Sequence, residues 1–97
     1  MNAEERQRVD VWLFRTRFAK TRAAAARLIS EGGVRLTRGG VARRLEKPSA
    51  DLVAGDALVF RLRDRLMAVR VEALPHRRGP AAEAKRCYSE LDADSLA

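Results

Sequence analysis

Apolar residues recur with a helical period along the first third of this 97-residue chain. Val9, Trp12, Leu13 and Thr16 stand at i, i+3, i+4 and i+7, which predicts one side of a helix running from about Val9 to Lys20. Val11, Phe14 and Phe18 add a neighbouring stripe, so the helix is expected to bury a wide face. Asp10 near its start and Arg15, Arg17 and Lys20 in its second half both suit the helix dipole. Thr21 is then placed as the N-cap of a second helix through "RAAAARLISE", a run of high helix propensity. Its apolar stripe is narrow (Ala25, Leu28, Ile29), its alanines allow close packing, and Gly32 is placed to end it in a left-handed conformation. The short connection predicts a compact helical hairpin.

The period then changes. Val34-Arg35-Leu36 alternates as a short strand, while residues 37–51 read as a loop punctuated by Gly39-Gly40 and Pro48. A turn at Gly55-Asp56 leads into a strand with Leu58, Phe60 and Leu62 on one face. Residues 63–65 turn the chain, and Met67, Val69, Val71 and Ala73 alternate along the next strand, predicting a hairpin. Residues 74–80 read as a linker, with Pro80 suited to a helix N1 position. Ala84, Tyr88 and Leu91 at i, i+4 and i+7 predict a closing helix, after which the tail is expected to fray. The order predicts an α+β fold: an N-terminal helical hairpin packed on a small, mainly antiparallel β-sheet, with a short C-terminal helix.

Composition narrows the function. At 46% hydrophobic and 34% charged the chain is that of a folded domain, with room for one modest core. No apolar run approaches the roughly 20 residues of a membrane span, and the N-terminus lacks a signal-type hydrophobic region, so the expected location is the cytoplasm. The net charge of +7 is unevenly placed. Ten basic residues lie between Arg15 and Lys47 against only Glu31 and Glu46, and seventeen of the twenty bases are arginine. Arginine forks pair bidentately with phosphate, so a polyanionic partner is the leading inference. A solvated basic surface is the plainer alternative.

Enzymatic signatures are sparse. There is neither a phosphate-binding glycine loop nor a dinucleotide fingerprint. Cys87 and His76, each the sole residue of its type, fall in the predicted last helix and the linker; Cys87 is read as inert and His76 as an exposed linker residue. The aspartates at 51, 56 and 64 lie near turns. The expectation is no catalytic residue, no metal and no cofactor. What remains is the basic corner, whose apolar side builds a core and whose outer side presents cations. Trp12 lies on the apolar stripe and is read as core.

"RVDVWLFRTRFAKTRAAAARLISEGGVRL" resembles the S-four RNA-binding domain, on Arg8, Asp10, Leu13, Thr21, Arg22, Ile29, Gly32 and Val34. Lys47-Pro48-Ser49 and Gly55-Asp56 fit further on. "RVDVWLF" together with "RRGPAAEAKRCYSEL" is similar to the heat-shock protein fifteen family. That resemblance implies a non-catalytic protein binding ribosomal RNA of the large ribosomal subunit and helping recycle stalled subunits that carry a nascent chain on tRNA. It implies an RNA surface of Arg8, Arg15, Arg17, Lys20, Thr21, Arg22, Arg27, Arg35, Arg38 and Lys47. Residues 1–7 are then expected to be disordered, 8–74 to form the RNA-binding domain, and 75–97 to form the linker and closing helix packed on or beside it. The expected partners are ribosomal RNA, tRNA and the large subunit, with no membrane, and the expected state is a monomer. Val11 departs from the family's common lysine, and the 37–47 loop looks longer than usual. The basic C-terminal extension of some members has no counterpart, which predicts weaker subunit binding where that extension contributes. Two other classes stay open: an RNA-binding accessory subunit of an RNA-modifying enzyme, and a protein-interaction adaptor.

Overall fold

A computed structural model describes residues 5–92. In chain order the elements are β1 (Gln7–Arg8), α1 (Val9–Arg15), α2 (Arg22–Ser30), β2 (Val34–Arg38), β3 (Val41–Arg44), β4 (Asp51–Leu52), β5 (Ala57–Leu62), β6 (Arg65–Val71), α3 (Ala81–Lys85) and β7 (Tyr88–Glu90). The fold is α+β, with the helical hairpin preceding an antiparallel sheet.

The first helix stops at Arg15 rather than continuing to Lys20. Arg17 adopts a left-handed backbone, φ +68°, which no helix can propagate. The freed carbonyls are satisfied locally: Arg17 N–H donates to Phe14 and Ala19 N–H to Leu13, while the Thr16 hydroxyl donates to the Trp12 carbonyl at 2.6 Å. The second helix begins as its sequence predicts, with Thr21 Oγ1 accepting from the Ala24 N–H at 2.9 Å. It ends on Gly32 at φ +80°, whose N–H reaches Ile29, followed by Gly33, whose N–H reaches Leu28, each at 2.9 Å. This pair of bonds closes the last turn in a Schellman motif. Gly33 is needed for space: a Cβ there would lie 2.8 Å from Leu28 Cδ1 and 3.0 Å from the Leu28 carbonyl oxygen.

Five strands form one antiparallel sheet in the order β3-β2-β5-β6-β7, and β1 pairs with β4 beside it. The register sets Leu36 opposite Leu58 and Leu58 opposite Val69, with Val34, Phe60 and Met67 in the adjoining row. This inner face meets Val9, Trp12 and Leu13 of α1 and Ala25 and Ile29 of α2, all fully buried. Each large side chain so removed from water stabilises the fold by about 2 kcal/mol.

Further expectations are corrected. Residues 37–44 are not a loop: β2 and β3 form a hairpin around Gly39-Gly40, both at positive φ (+59° and +80°), the requirement of a two-residue type I′ turn. The strand went unrecognised because β3 is an edge strand whose four side chains are all exposed, leaving no alternation to read. The closing helix is only Ala81–Lys85, with Pro80 as its N-cap residue rather than N1. Tyr88 leaves the helix because its strand completes the sheet on β6, pairing with Val71, and its ring packs against Phe18 at 4.6 Å and Trp12 at 6.5 Å. Cys87 accordingly sits in the turn between α3 and β7, and Ala73 lies beyond the end of β6 at Val71. Finally, Gln7, placed in a disordered segment by its sequence, pairs with Leu52, and its side-chain amide donates to the Pro75 carbonyl at 2.8 Å. Residues 1–4 of that segment and 93–97 of the expected frayed tail lie outside the described residues.

Candidate nucleic-acid interface

Asp10 organises the entrance to the helical hairpin. Its side chain is buried at the first turn of α1, where Oδ1 accepts from the Val11 N–H at 2.8 Å. Both carboxylate oxygens accept from Arg8, Nε at 3.0 Å and an Nη at 2.8 Å, and Arg22 reaches the same carboxylate at 3.9 Å. One buried anion therefore fixes two half-exposed guanidiniums from different elements. The hydrogen bonds to Asp10, and then its charge, push the Arg8 pKa above its ordinary value, so Arg8 stays cationic at every physiological pH.

Arg15 and Arg17 turn elsewhere. An Arg15 Nη donates to the Pro75 carbonyl at 2.8 Å and Arg17 Nε to the Gly79 carbonyl at 2.7 Å. From the other side Arg78 Nε donates to the Phe14 carbonyl at 3.1 Å, with its guanidinium 5.0 Å from the Phe14 ring centroid. Trp12 Nε1 donates to the Ala73 carbonyl at 3.0 Å, consistent with its place in the core. These contacts clamp residues 73–79 onto α1. Arg38 is also engaged within the fold: Nε and an Nη grip the buried Asp56 at 2.8 and 2.7 Å, and the Asp51 carbonyl accepts at 3.2 Å.

Of the predicted site residues, the cations left to solvent are Lys20 before α2, Arg27 on its exposed side, Arg35 on β2 and Lys47 after β3. None makes a side-chain hydrogen bond or ion pair to another described residue. Thr21 is exposed, but its hydroxyl oxygen already caps α2. Thus the structure brings Arg8 and Arg22 together at the start of α2, beside Lys20 and Thr21, and sets Arg27 in the last turn of that helix. It separates Arg15 and Arg17, which face the linker.

Residues that the sequence reading passed over extend the charge. Arg44 stands directly across from Arg35 in the β2–β3 ladder. Its stem passes so near the end of α2 that a Cβ on Gly32 would lie 3.2 Å from Arg44 Cδ. Arg43 and Arg44 line an open groove of about 610 Å³ between β3 and residues 45–51, with Lys47 and Ser49 on its wall. The signal for them was present as an "ARR" run, but it lay in a segment read as loop.

Other chemistry is thin. Among the described residues no group of three His, Cys, Asp or Glu side chains could hold a metal, and no helix is long and apolar enough to cross a membrane. Cys87 is buried, and burial, followed by the nearby Glu83, pushes its thiol pKa up and away from a nucleophilic thiolate. His76 is exposed.

Known proteins resemble this chain in the hairpin segment and in the fold. The S4 domain family model matches residues 7–36, the span from β1 through the hairpin into β2. Heat shock protein 15 of Escherichia coli is 35% identical over 83 residues, covering 86% of this chain and 59% of that protein. The chain therefore spans 59% of the length of the curated relatives it matches. A solved structure of Vibrio cholerae Heat Shock Protein 15, described as trimeric, superposes with a TM-score of 0.81 at 29% identity, covering 95% of this chain and 87% of that one.

Proposed function

The chain belongs to the heat shock protein 15 family of S4-domain proteins, and from that premise we propose that it is a non-catalytic RNA-binding protein docking on ribosomal RNA of the large ribosomal subunit. In this reading it helps recycle stalled cytoplasmic subunits that carry a nascent chain on tRNA. The observation that carries it is the α2 surface. Arg8 and Arg22, both half-exposed, share one buried carboxylate, and Lys20 before α2 and Arg27 on its exposed side have no partner among the described residues. Pre-positioned guanidiniums bind phosphate with little further ordering cost. Contacts of this kind position a structured RNA by its backbone and shape rather than its sequence.

The test is co-sedimentation with purified ribosomal subunits, empty or carrying peptidyl-tRNA, across a salt series. Salt-sensitive enrichment on the large subunit, greater with peptidyl-tRNA, is the expected result. Association that survives nuclease and high salt overturns it in favour of a protein adaptor. We further propose that the chain acts as a monomer, although the Vibrio cholerae relative is described as trimeric. Sedimentation velocity decides between one chain mass and three.

A further inference from the structure

We propose that the groove at the C-terminal end of β3 is a second RNA-backbone site, in which Arg43, Arg44 and Lys47 hold the phosphates of a strand running past the end of α2. The inference rests on the RNA-binding reading above and extends it to Arg43 and Arg44, with Lys47 shared.

The charge in the groove is unbalanced. Five of its lining residues are Arg or Lys and two, Glu46 and Asp51, are acidic. Arg6 and Asp51 pair with each other at 3.4 Å and Arg38 grips Asp56, so the excess rests on Arg43, Arg44 and Lys47 against Glu46. Arg43, Arg44 and Lys47 make no side-chain hydrogen bond or ion pair to another described residue.

The fold also places like charges against each other. Arg35 and Arg44 are direct cross-strand partners, a juxtaposition that destabilises a sheet pair when nothing intervenes. Packing does not explain it, because β3 buries none of its four side chains. A phosphate bound beside Arg44 relieves that repulsion through a charge-assisted hydrogen bond, with Arg35 outside the groove lining. As an edge strand paired only with β2, β3 also offers unpaired backbone N–H groups to the same anion.

The lining chemistry selects the ligand class. The groove is lined by Arg43–Lys47 and Ser49–Asp51 with Arg6 and Arg38, and it contains no aromatic ring on which a base could stack. A free nucleotide would leave its base without a platform, whereas a phosphodiester backbone needs only cations and donors. The site is therefore fitted to the RNA backbone. Its neighbourhood to Gly32 makes it continuous with the α2 surface, since Arg44 crosses the end of that helix.

The test measures the affinity of the full chain for large-subunit ribosomal RNA over a salt series, comparing the wild type with Arg43→Gln/Arg44→Gln. Glutamine keeps a polar head on the exposed strand and removes only the charge. Each phosphate contact contributes a slope of roughly −0.7 to −0.9 in log K against log salt, so the double variant is expected to be shallower by about 1.5. Should that variant lose its native circular dichroism, Lys47→Gln serves instead, with an expected change of about 0.8. An unchanged slope in a folded variant, while Arg27→Glu weakens binding, overturns the groove and leaves the α2 reading standing. A wild type that binds no RNA overturns both. Loss of binding to polyglutamate with RNA binding intact reassigns the groove to an acidic protein segment and overturns the proposal.

Discussion

The guanidinium of Arg38 grips the carboxylate of Asp56 at two points, Nε to Oδ1 at 2.8 Å and an Nη to Oδ2 at 2.7 Å. Asp56 is 1% exposed and also accepts from the Val53 N–H at 2.9 Å, so the pair ties β2 to the turn before β5. Arg38→Ala strands a buried carboxylate, although Arg38 itself is half in water. We expect a loss of about 2–3 kcal/mol, toward the low end for breaking a buried pair. For a domain of this size that lowers Tm by roughly 10 °C in a thermal melt. Arg38→Lys is expected to recover only part of it, because an ammonium cannot reproduce the fork. A melt unchanged by Arg38→Ala would contradict the structural role.

The clamp on residues 73–79 makes a separate prediction. Arg17→Ala removes the Nε donor to the Gly79 carbonyl, and Arg78→Ala removes the guanidinium over Phe14. Each change is expected to raise amide exchange of residues 74–80 several-fold while leaving exchange in β5 and β6 unaltered, since local opening draws on few buried contacts there. RNA affinity should change less with either substitution than with Arg27→Glu. Equal losses would return Arg17 to the RNA surface.

Cys87 carries a pH prediction. Burial, and secondarily Glu83, raise its thiol pKa above the ordinary 9.0. The folded state then holds this proton more tightly than the unfolded chain. The resulting stabilisation is complete below the ordinary value and is lost as pH rises through the raised one. Maleimide labelling at pH 8 is expected to be at least about tenfold slower in native protein than in urea, because only the thiolate reacts and the native thiolate is scarcer and covered. Equal labelling rates would place Cys87 at the surface.

The helical hairpin was legible because its signals are local. The 3.6-residue spacing of Val9, Trp12 and Leu13, the Thr21 cap and the Gly32 stop each act within a few residues, and each is found in place. The hairpin at 38–41 was hidden by its own exposure, since an edge strand without a buried face has no alternation. The β7 strand was hidden differently. Ala84, Tyr88 and Leu91 have helical spacing, but the aromatic cluster with Trp12 and Phe18 and the open edge of β6 outweigh that local preference. The basic surface was legible as a count of arginines and not as a set of roles. Sequence cannot tell Arg27, which faces solvent, from Arg15, whose guanidinium meets a carbonyl 60 residues away.

Asp10 separates two arginines that look alike in sequence. Arg22→Glu would put a carboxylate beside the buried Asp10, 3.9 Å from the present guanidinium, and is expected to destabilise the hairpin as well as weaken RNA binding. Arg27→Glu faces no buried carboxylate and is expected to lower Tm by only a few degrees, through the helix dipole and the like charge of Glu31 four residues on. Thermal melts of the two variants side by side check this difference.

The central claim is that the exposed cations of α2 and Arg35 of β2 bind RNA through its phosphates. Its most direct test is the affinity of folded Arg27→Glu/Arg35→Glu for large-subunit ribosomal RNA, measured against the wild type from low to physiological salt. The account predicts a wild-type affinity that falls steeply and linearly with log salt, and a variant at least about tenfold weaker with a slope shallower by about 1.5. A variant that keeps its native melt and binds with the wild-type affinity and slope would contradict it.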